Sequence, residues 1–570
     1  MAMSRKRLLD QLEKTRGLYR PHAEHRVEPI LKRLRKFTPA TAEELVRAHD
    51  AVLFLRAFPQ SRRVAATADE WLKGIAGHVE RLKKSGADFD VFDDERVSGV
   101  AGTTLRDTFT YEVARWLLSR HAERIHADWE PDEQARRLGA ALPRFQPLIE
   151  DDCLVEADTP YLQWMSAASG QGREFAWLMR HFEEWPIPIP RKTELFDALG
   201  ITLVWNLGDS SASRTLARRP TRSLFCHTEP LIQRKQVSLA DELASPALPL
   251  RKLPPAEGAQ ILDMVREVLT TRYRELYGTT RGDAAHLYQA DVGRGVQIFL
   301  WGLPPDRRLP LRAYHAGFTL KNGVPINYIE GISLFEWMEV GFNTFYAYRD
   351  GETAWIYGKV LRLLHQLTGV TCISVYPYQL GQDNEEAIVS GAFWFYRKLG
   401  FRPGRDDLLV LTEREERRMA RQPSHRTSPG TLRKLAEGHV FYEFGSGPRG
   451  LWYSFSTRNL GLAVQRQMAR EYGGWAERMR EAVVSKLAAA LLVRPGSLTE
   501  TEQVAFTNFA FLLALVPDLS GWSPEQKQLL LEIIRAKANF EELDYLSRLR
   551  QHTALKQAVL LLGSVHRPQG

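Results

Sequence analysis

The pattern that most constrains this chain is a change of hydrophobic period between residues 284 and 402. Helical spacing gives way to short apolar runs, first at residues 295–302 and then at residues 311–320 and 324–335. The last two runs flank Lys321-Asn322-Gly323, and Asn-Gly between alternating apolar runs predicts a β-hairpin. Strands of this kind must bury at least one face of a sheet.

The residues after the hairpin alternate between strand-like and helix-like segments. Strands are predicted at residues 342–348 and 370–376, and helices at residues 352–367 and 384–399. The order strand, hairpin, strand, helix, strand, helix predicts an α+β fold in which helices flank a mixed central sheet.

The flanking regions are predicted to be large and mainly helical. The chain has 570 residues, enough for about three or four domains. Four prolines in residues 245–258 predict a stiff linker. The C-terminal part opens with two strand-like runs, at 439–445 and 451–456, and ends in three or four predicted helices. We expect a helical region at residues 1–150, a mixed α/β region at 151–250 and the central α+β domain at 259–403. A charged linker is expected at 404–438 and a mainly helical region at 439–570.

The composition is typical of a globular chain without a membrane span. Hydrophobic residues make up 44% and charged residues 26% of the chain. No apolar run approaches the roughly 18 residues of a membrane helix. The first residues are basic but lack the apolar core of a signal peptide, so we expect a cytoplasmic protein. Cys153, Cys226 and Cys372 lie far apart, which favours neither a disulfide framework nor a cysteine metal site.

Positive charge is concentrated at the start of the chain. Residues 1–63 carry 15 Lys and Arg against 7 Asp and Glu, and the formal net charge of the whole chain is +8. Such a segment is compatible with nucleic acid or an acidic partner. No glycine-rich or aromatic-interleaved RNA motif accompanies it, which favours solvated helix faces instead.

A recognisable motif lies at the end of the predicted helix 384–399. The segment AFWFYRKLGF places Ala392 and Tyr396 four residues apart and ends in Gly400-Phe401. This ending resembles the second signature of the GNAT (Gcn5-related N-acetyltransferase) superfamily, in which a glycine closes the helix in a left-handed cap. About 50 residues upstream, a strand–turn–helix junction lies where that family has its pyrophosphate loop.

The upstream junction matches the family's phosphate motif in part. That motif is Gln or Arg, two residues, Gly, one residue, and then Gly or Ala. Aligned on Gly351, the chain offers Tyr348 and Thr353; shifted by one residue, it offers Arg349 and Ala354 without the central Gly. Any helix N-terminus at this junction also presents backbone N–H groups and a dipole that favour phosphate.

The resemblance covers residues 285–403, about a fifth of the chain. It implies a cleft for acetyl-CoA or another acyl-CoA between the two strands that precede the helices. It also implies direct attack of an amine on the thioester, with Tyr396 protonating the leaving thiolate. The family often has an Asn seven residues before this tyrosine, where this chain has Val389. The residues expected at the pyrophosphate are Tyr348, Arg349, Gly351, Glu352, Thr353 and Ala354.

Carboxylates before the junction are candidates for the general base. Glu330 and Glu336 lie an even number of residues apart, so both face one side of an uninterrupted strand, whereas a bulge at Gly331 would break that parity. Among aromatic neighbours such a carboxyl has a raised pKa and can accept a proton from an ammonium. Glu339 and His315 are further candidates, and salt bridges to nearby cations are the alternative explanation for the carboxylates.

Three functional hypotheses follow from these patterns. The first is an acyl-CoA-dependent N-acyltransferase that acts on a small-molecule or peptide amine. A variant of this first hypothesis is an enzyme that takes its acyl group from aminoacyl-tRNA or another carrier. The second is a non-catalytic binding or regulatory protein with a GNAT fold. The third is a nucleic-acid-associated helical protein in which the central domain is a scaffold. CoA affinity separates the first from the third, and acyl turnover separates the first from the second.

Overall fold

A computed structural model describes residues 5–129, 137–139, 141–145, 161–517 and 519–564, so that Cys153 lies outside the described residues. Contacts divide the chain into two compact units. The unit that we call the N-terminal unit comprises residues 1–230, 261–280 and 321–325. The unit that we call the sheet unit comprises residues 231–260, 281–320 and 326–570.

Helices and strands are numbered here in chain order. The helices are α1 Arg5–Arg16, α2 Glu24–Leu34, α3 Ala42–Ala57, α4 Arg62–Lys73, α5 Ile75–Lys84, α6 Tyr111–His121, α7 Tyr161–Ser169, α8 Glu174–Glu184, α9 Ile189–Leu199, α10 Leu239–Ala244, α11 Pro255–Thr270, α12 Tyr277–Thr280, α13 Thr353–Thr368, α14 Pro377–Leu380, α15 Glu385–Ser390, α16 Ala392–Arg397, α17 Asp406–Arg421, α18 Pro429–Leu435, α19 Thr457–Tyr472, α20 Ala476–Leu491, α21 Glu500–Leu513, α22 Pro524–Ala538, α23 Glu542–Gln551 and α24 Thr553–Gly563. The strands are β1 Thr104–Thr108, β2 Ile125–Asp128, β3 Thr202–Asn206, β4 Leu250–Lys252, β5 Leu287–Asp291, β6 Val296–Trp301, β7 Ala313–Lys321, β8 Val324–Leu334, β9 Trp337–Thr344, β10 Cys372–Val375, β11 Arg402–Pro403 and β12 Val440–Glu443. None of the described helices is both long enough and apolar enough to cross a bilayer.

The N-terminal unit combines helices with a small antiparallel sheet in the order β1-β3-β2. Trp205 of the central strand pairs with Leu105 on one side and with Ile125 on the other. All three side chains belong to a buried core that also includes Phe182. The prediction of helix alone for residues 1–150 missed β1 and β2, because the runs TLRDT and IHAD carry too few apolar residues to show a strand period.

Basic residues near the N-terminus are engaged in ion pairs within this unit. Arg47 donates hydrogen bonds of 2.7 Å to Asp10 and Glu13. The bond from Arg47 lowers the pKa of the Asp10 carboxyl below its usual range. Each such pair cancels a positive charge that an acidic partner would use.

The sheet unit is built on a nine-stranded sheet in the order β11-β12-β10-β9-β8-β7-β6-β5-β4. The pairings described for it are antiparallel except for that of β9 with β10, which is parallel. Together with the surrounding helices, this sheet confirms the predicted α+β class. The Asn322-Gly323 loop between β7 and β8 confirms the predicted hairpin, with φ of 51° and 79° as a type I′ turn requires.

A second hairpin corrects the expected strand boundaries. Strand β8 pairs with β9 without interruption from Asn327 opposite Thr344 to Leu334 opposite Trp337. Gly331 therefore forms no bulge in this pairing, and the alternative in which a bulge breaks the strand parity does not apply. Glu336 lies in the two-residue loop between the strands and not within a strand. The chain reverses at Phe335 and Glu336, although the apolar pattern around them indicated a strand.

Helix α13 connects the two parallel strands and packs on one face of the sheet. Phe342 of β9 contacts Tyr357 of this helix, with ring centroids 4.8 Å apart. The second predicted helix, 384–399, is in fact two short helices, α15 and α16. Gly391 separates them with a φ of 67°, a left-handed conformation that ends one helix and re-aims the next.

The opposite face of the sheet packs against the C-terminal helices α19–α24. Trp337 of β9 stacks on Trp452, with ring centroids 5.2 Å apart, and both rings contact Phe455. The predicted strand at 439–445 is confirmed as β12, whereas residues 451–456 form turns with a single bridge at Phe455. The six helices α19–α24 exceed the three or four expected, because short turns divide the apolar pattern.

Candidate functional site

The parallel strands β9 and β10 separate partway along their length. Residues 337–339 of β9 pair with residues 372–374 of β10. Strand β10 then ends at Val375, whereas β9 continues to Thr344 with β8 on its other side. We call the space beside residues 340–344, on the β10 side of β9, the strand gap.

The side chain of Gln379 fills this gap. Gln379 belongs to α14, directly after β10, and its Oε1 accepts a hydrogen bond from the backbone N–H of Phe342 at 3.2 Å. Its Nε2 lies 3.5 Å from the carbonyl oxygen of Val340, to which it donates. The carboxamide thus meets β9 with one donor and one acceptor, as a neighbouring strand does. Gly341 permits this approach, because a Cβ there would lie 3.1 Å from Nε2.

Tyr396 reaches the same carboxamide from α16. Its hydroxyl donates to Oε1 of Gln379 at 3.3 Å. The ring is 4% exposed and packs against Tyr357 and Phe401. Burial raises the pKa of Tyr396 above its usual 10, so the hydroxyl keeps its proton at neutral pH and acts as a donor.

The residues expected at the pyrophosphate lie around the N-terminus of α13. Arg349 directs its guanidinium to Glu386 of α15 at 2.6 Å and donates from Nε to the carbonyl of Thr344 at 3.2 Å. Val389, which stands where the GNAT pattern has Asn, is 81% exposed. The stretch from the short 3-10 helix Tyr346–Tyr348 to the first turn of α13 contains all six expected residues, namely Tyr348, Arg349, Gly351, Glu352, Thr353 and Ala354.

Among these six residues, Glu352 has a fully buried side chain at the N-cap of α13. Its Oε1 accepts a hydrogen bond from the backbone N–H of Ile232 at 3.1 Å. Arg294 binds both carboxylate oxygens, from Nε at 3.1 Å and from Nη2 at 2.5 Å. This two-point pair offsets the cost of burying the charge. Any contribution of Glu352 to a phosphate site therefore rests on its backbone N–H.

Side-chain alternation places the candidate acid and base on opposite faces of the sheet. Phe342 points to the face that carries α13, which is also the face of Tyr396. Gly341 and Glu339 face the other way, as does Glu330, which pairs with Gly341. Glu330 therefore lies one strand away from the gap, on the side opposite Tyr396.

Two hydrogen-bonded pairs hold polar groups on this second face. Glu339, the last β9 residue paired with β10, lies 3.0 Å from Nε2 of His439, which directly precedes β12. The hydroxyl of Tyr314 in β7 donates a hydrogen bond to the Glu330 carboxylate. His439 could not be predicted from the sequence, because it lies 100 positions after Glu339 and carries no motif of its own.

Glu336 lies at the far end of β9 and is not brought to the gap. Five residue steps separate Trp337 from Phe342, which corresponds to roughly 17 Å along a strand. The Glu336 carboxylate accepts a hydrogen bond from Trp452 Nε1 at 3.2 Å and lies 3.3 Å from Nζ of Lys556. Of the two expected bases, only Glu330 pairs with a β9 residue beside the strand gap, Gly341, and it lies on the face opposite Tyr396.

His315 is buried in β7 and is expected to make the sheet unit sensitive to acid. Burial lowers its pKa from 6.5 to about 4, with Glu542 opposing and Lys537 and Arg308 reinforcing this shift. The unfolded imidazole binds a proton at higher pH than the folded one, so stability is lost as pH falls from 6.5 towards 4. We expect a loss of up to about 1.4 kcal/mol per pH unit. Urea denaturation at pH 7, 6 and 5 measures it, and His315→Leu should flatten the profile; an unchanged slope in that variant would contradict the assignment.

Comparisons with protein-family models, with curated proteins and with solved structures find no match for this chain. A function is therefore inferred from the geometry of the strand gap and from the groups around it. That geometry offers a strand edge covered by one carboxamide side chain, a buried hydroxyl donor and carboxylates on the opposite face.

Proposed function

We propose that the protein is an acyl-CoA-dependent N-acyltransferase of the GNAT type, with its active site at the strand gap. The observation that carries this proposal is the pairing of the Gln379 carboxamide with Val340 and Phe342 of β9. A pantetheine arm contains secondary amides, which offer the same donor and acceptor to a strand edge. The edge that Gln379 covers is therefore one that such an arm fits.

The order of elements around the gap also supports the proposal. Strand β9 leads into α13, the parallel strand β10 leads into α14–α16, and antiparallel strands complete the sheet. This is the arrangement that the GNAT resemblance implies. It presents the start of α13 and the edge of β9 that Gln379 covers at the same end of the parallel pair.

Each group at the gap has a role in this proposal. Acyl-CoA supplies a thioester whose carbonyl carbon accepts the amine. The backbone N–H groups at the start of α13 hold the pyrophosphate. Tyr396 keeps a proton on its hydroxyl oxygen at the α13 face, where a leaving group needs a donor. Glu330, and Glu339 with His439, face the opposite side and accept the proton of the amine.

Two tyrosines beside the gap favour an acceptor with apolar bulk. Tyr376 and Tyr378 precede Gln379 in sequence and are 49% and 51% exposed. The ring of Tyr376 lies 5.4 Å from that of His439, the hydrogen-bond partner of Glu339. Exposed aromatic rings of this kind provide contact area at low cost in conformational entropy.

Replacing Gln379 by Ala tests the proposal. If Gln379 and the cofactor compete for β9, removing the carboxamide should strengthen acetyl-CoA binding roughly tenfold, since two neutral hydrogen bonds no longer have to be broken. Isothermal titration calorimetry measures the dissociation constant. Gln382→Ala, an exposed glutamine three residues later, serves as the matched control and should leave the constant unchanged. Absence of acetyl-CoA binding in all three proteins would refute the proposal.

A second candidate is a non-catalytic binding protein with the same fold. The observation that favours it is that the chain itself already satisfies the edge of β9 through Gln379. Release of CoA in the presence of a panel of amines separates the two candidates. Tight acetyl-CoA binding without any CoA release would favour the second.

A further inference from the structure

A separate cavity lies at the opposite end of the parallel pair from the strand gap. Its volume is about 310 Å³, within the range of pockets for small molecules. Its walls include Glu336 just before β9, Thr371 just before β10 and the loop that follows β12. Three cations, Arg449, Arg550 and Lys556, also line it.

The carboxylates of this cavity already have partners within the chain. Glu336 is held by Trp452 and Lys556. Glu443 accepts a hydrogen bond from the backbone N–H of Gly450 at 2.8 Å and another from the hydroxyl of Tyr453 at 2.9 Å. These two bonds of Glu443 hold together the segment 443–453, which contributes lining residues to the cavity.

The cations are less completely paired. Nη1 of Arg550 is buried and has no hydrogen-bond partner among the described residues. The guanidinium rests against Gly369, where a Cβ would lie 2.6 Å from Nη2. Burial lowers the pKa of Arg550, and the charge of Glu336 opposes that shift. Arg449 is exposed and forms no ion pair within the part of the chain that the structure describes.

A single water molecule would satisfy another pair of buried polar atoms in this unit, but it does not suit the arrangement around Arg550. Nδ1 of His315 and Oε2 of Glu542 are also buried without partners, and both residues line a cavity of about 20 Å³. That volume suits a single water molecule. The cavity beside Arg550 is much larger and has an excess of cationic side chains, so its geometry suits a larger anion.

We propose that this cavity binds a small molecule that carries a carboxylate or phosphate group, with the anionic group on Arg550. A guanidinium offers the paired donors that such groups accept, and it gains most where it is partly desolvated. Lys556 and Arg449 add positive charge on either side. Gly445 and Gly447 line the cavity and allow the backbone to approach the ligand closely.

Calorimetric titration of the full chain with citrate and with inorganic phosphate, at constant ionic strength set by sodium chloride, tests this site. We expect saturable binding of at least one probe to a single site. Arg550→Gln should weaken it by about 10–100-fold, as loss of a charged hydrogen bond does. Arg548→Gln changes a half-buried arginine of the same helix that does not line the cavity, and it is the matched control, with binding unchanged. The preferred probe distinguishes a carboxylate ligand from a phosphate ligand.

A second variant keeps the test independent of folding. Arg449 is exposed, so Arg449→Gln leaves the fold intact and should weaken binding severalfold. Absence of binding by both probes, or equal binding in wild type, Arg550→Gln and Arg449→Gln, would overturn the assignment. Arg550→Gln should leave acetyl-CoA binding unaltered. The anion site and the proposed function are therefore tested independently of each other.

Discussion

Replacing Lys537 by Met is expected to lower the free energy of unfolding of the sheet unit by about 3–5 kcal/mol. Lys537 of α22 and Glu542 of α23 form an ion pair with side chains only 4% and 2% exposed. Lys537 also donates to the carbonyl of Arg312 at 2.9 Å, and its Nζ lies 4.3 Å from the ring centre of Tyr545. Without the lysine, the charge of Glu542 remains buried and unpaired.

Urea denaturation measures this loss as a lower midpoint with an unchanged slope. The matched control is Lys527→Met, in the same helix, whose Nζ donates to the carbonyl of Ser520 in an exposed bond. This control should change stability by less than about 0.5 kcal/mol. Adding Glu542→Gln to Lys537→Met should recover part of the loss, because it removes the orphaned charge. Equal effects of the two lysine variants would contradict the expectation.

If the strand gap is the proposed acyltransferase site, replacing Tyr396 by Phe is expected to slow acyl transfer by about 10²–10⁴-fold while acetyl-CoA affinity stays within a few-fold of wild type. The change removes only the hydroxyl that donates to Gln379 and keeps the ring packing. Because burial raises the pKa of Tyr396 above 10, the wild-type rate should show no loss from its ionisation below pH 10. Release of CoA with an amine that the wild type accepts measures the rate.

Tyr357→Phe is the matched control for this variant. Tyr357 is buried beside Tyr396, with ring centroids 5.7 Å apart, but its hydroxyl has no hydrogen-bond partner among the described residues. Its removal should leave the rate unchanged and stability equal or slightly higher, because a buried unpaired hydroxyl is costly. A comparable loss of rate in both variants would show that packing, and not proton donation, sets the effect.

Local signals were enough to predict much of the sheet. Asn322-Gly323 gave the hairpin because both residues tolerate positive φ, and the apolar runs gave β6, β7, β8 and β10. The break at Gly391 was missed because the helical period continues on both sides of it. The β8–β9 loop was missed because Phe335 is apolar and buried although its φ is 54°. At both positions, tertiary packing and not the local pattern determines the backbone conformation.

Only part of the candidate site could be predicted from the sequence. Motif spacing led to Tyr396 and to the start of α13, which the structure places on the same face of the sheet. Gln379 had no such signal, because its partners on β9 lie 37 and 39 positions away and only the separation of β9 from β10 creates its role. Pairing of Glu339 with His439 depends likewise on strand order.

The position of β12 has a consequence for the synthesis of the chain. This strand lies between β10 and β11, although it follows both of them in sequence. Residues 372–375 of β10 are all buried, and one edge of the strand lacks its partner until Val440–Glu443 has emerged. At translation speeds of about 5–20 residues per second, the intervening residues take several seconds to appear. During that interval a nascent chain carries an open apolar strand edge, which is a template for association with other chains.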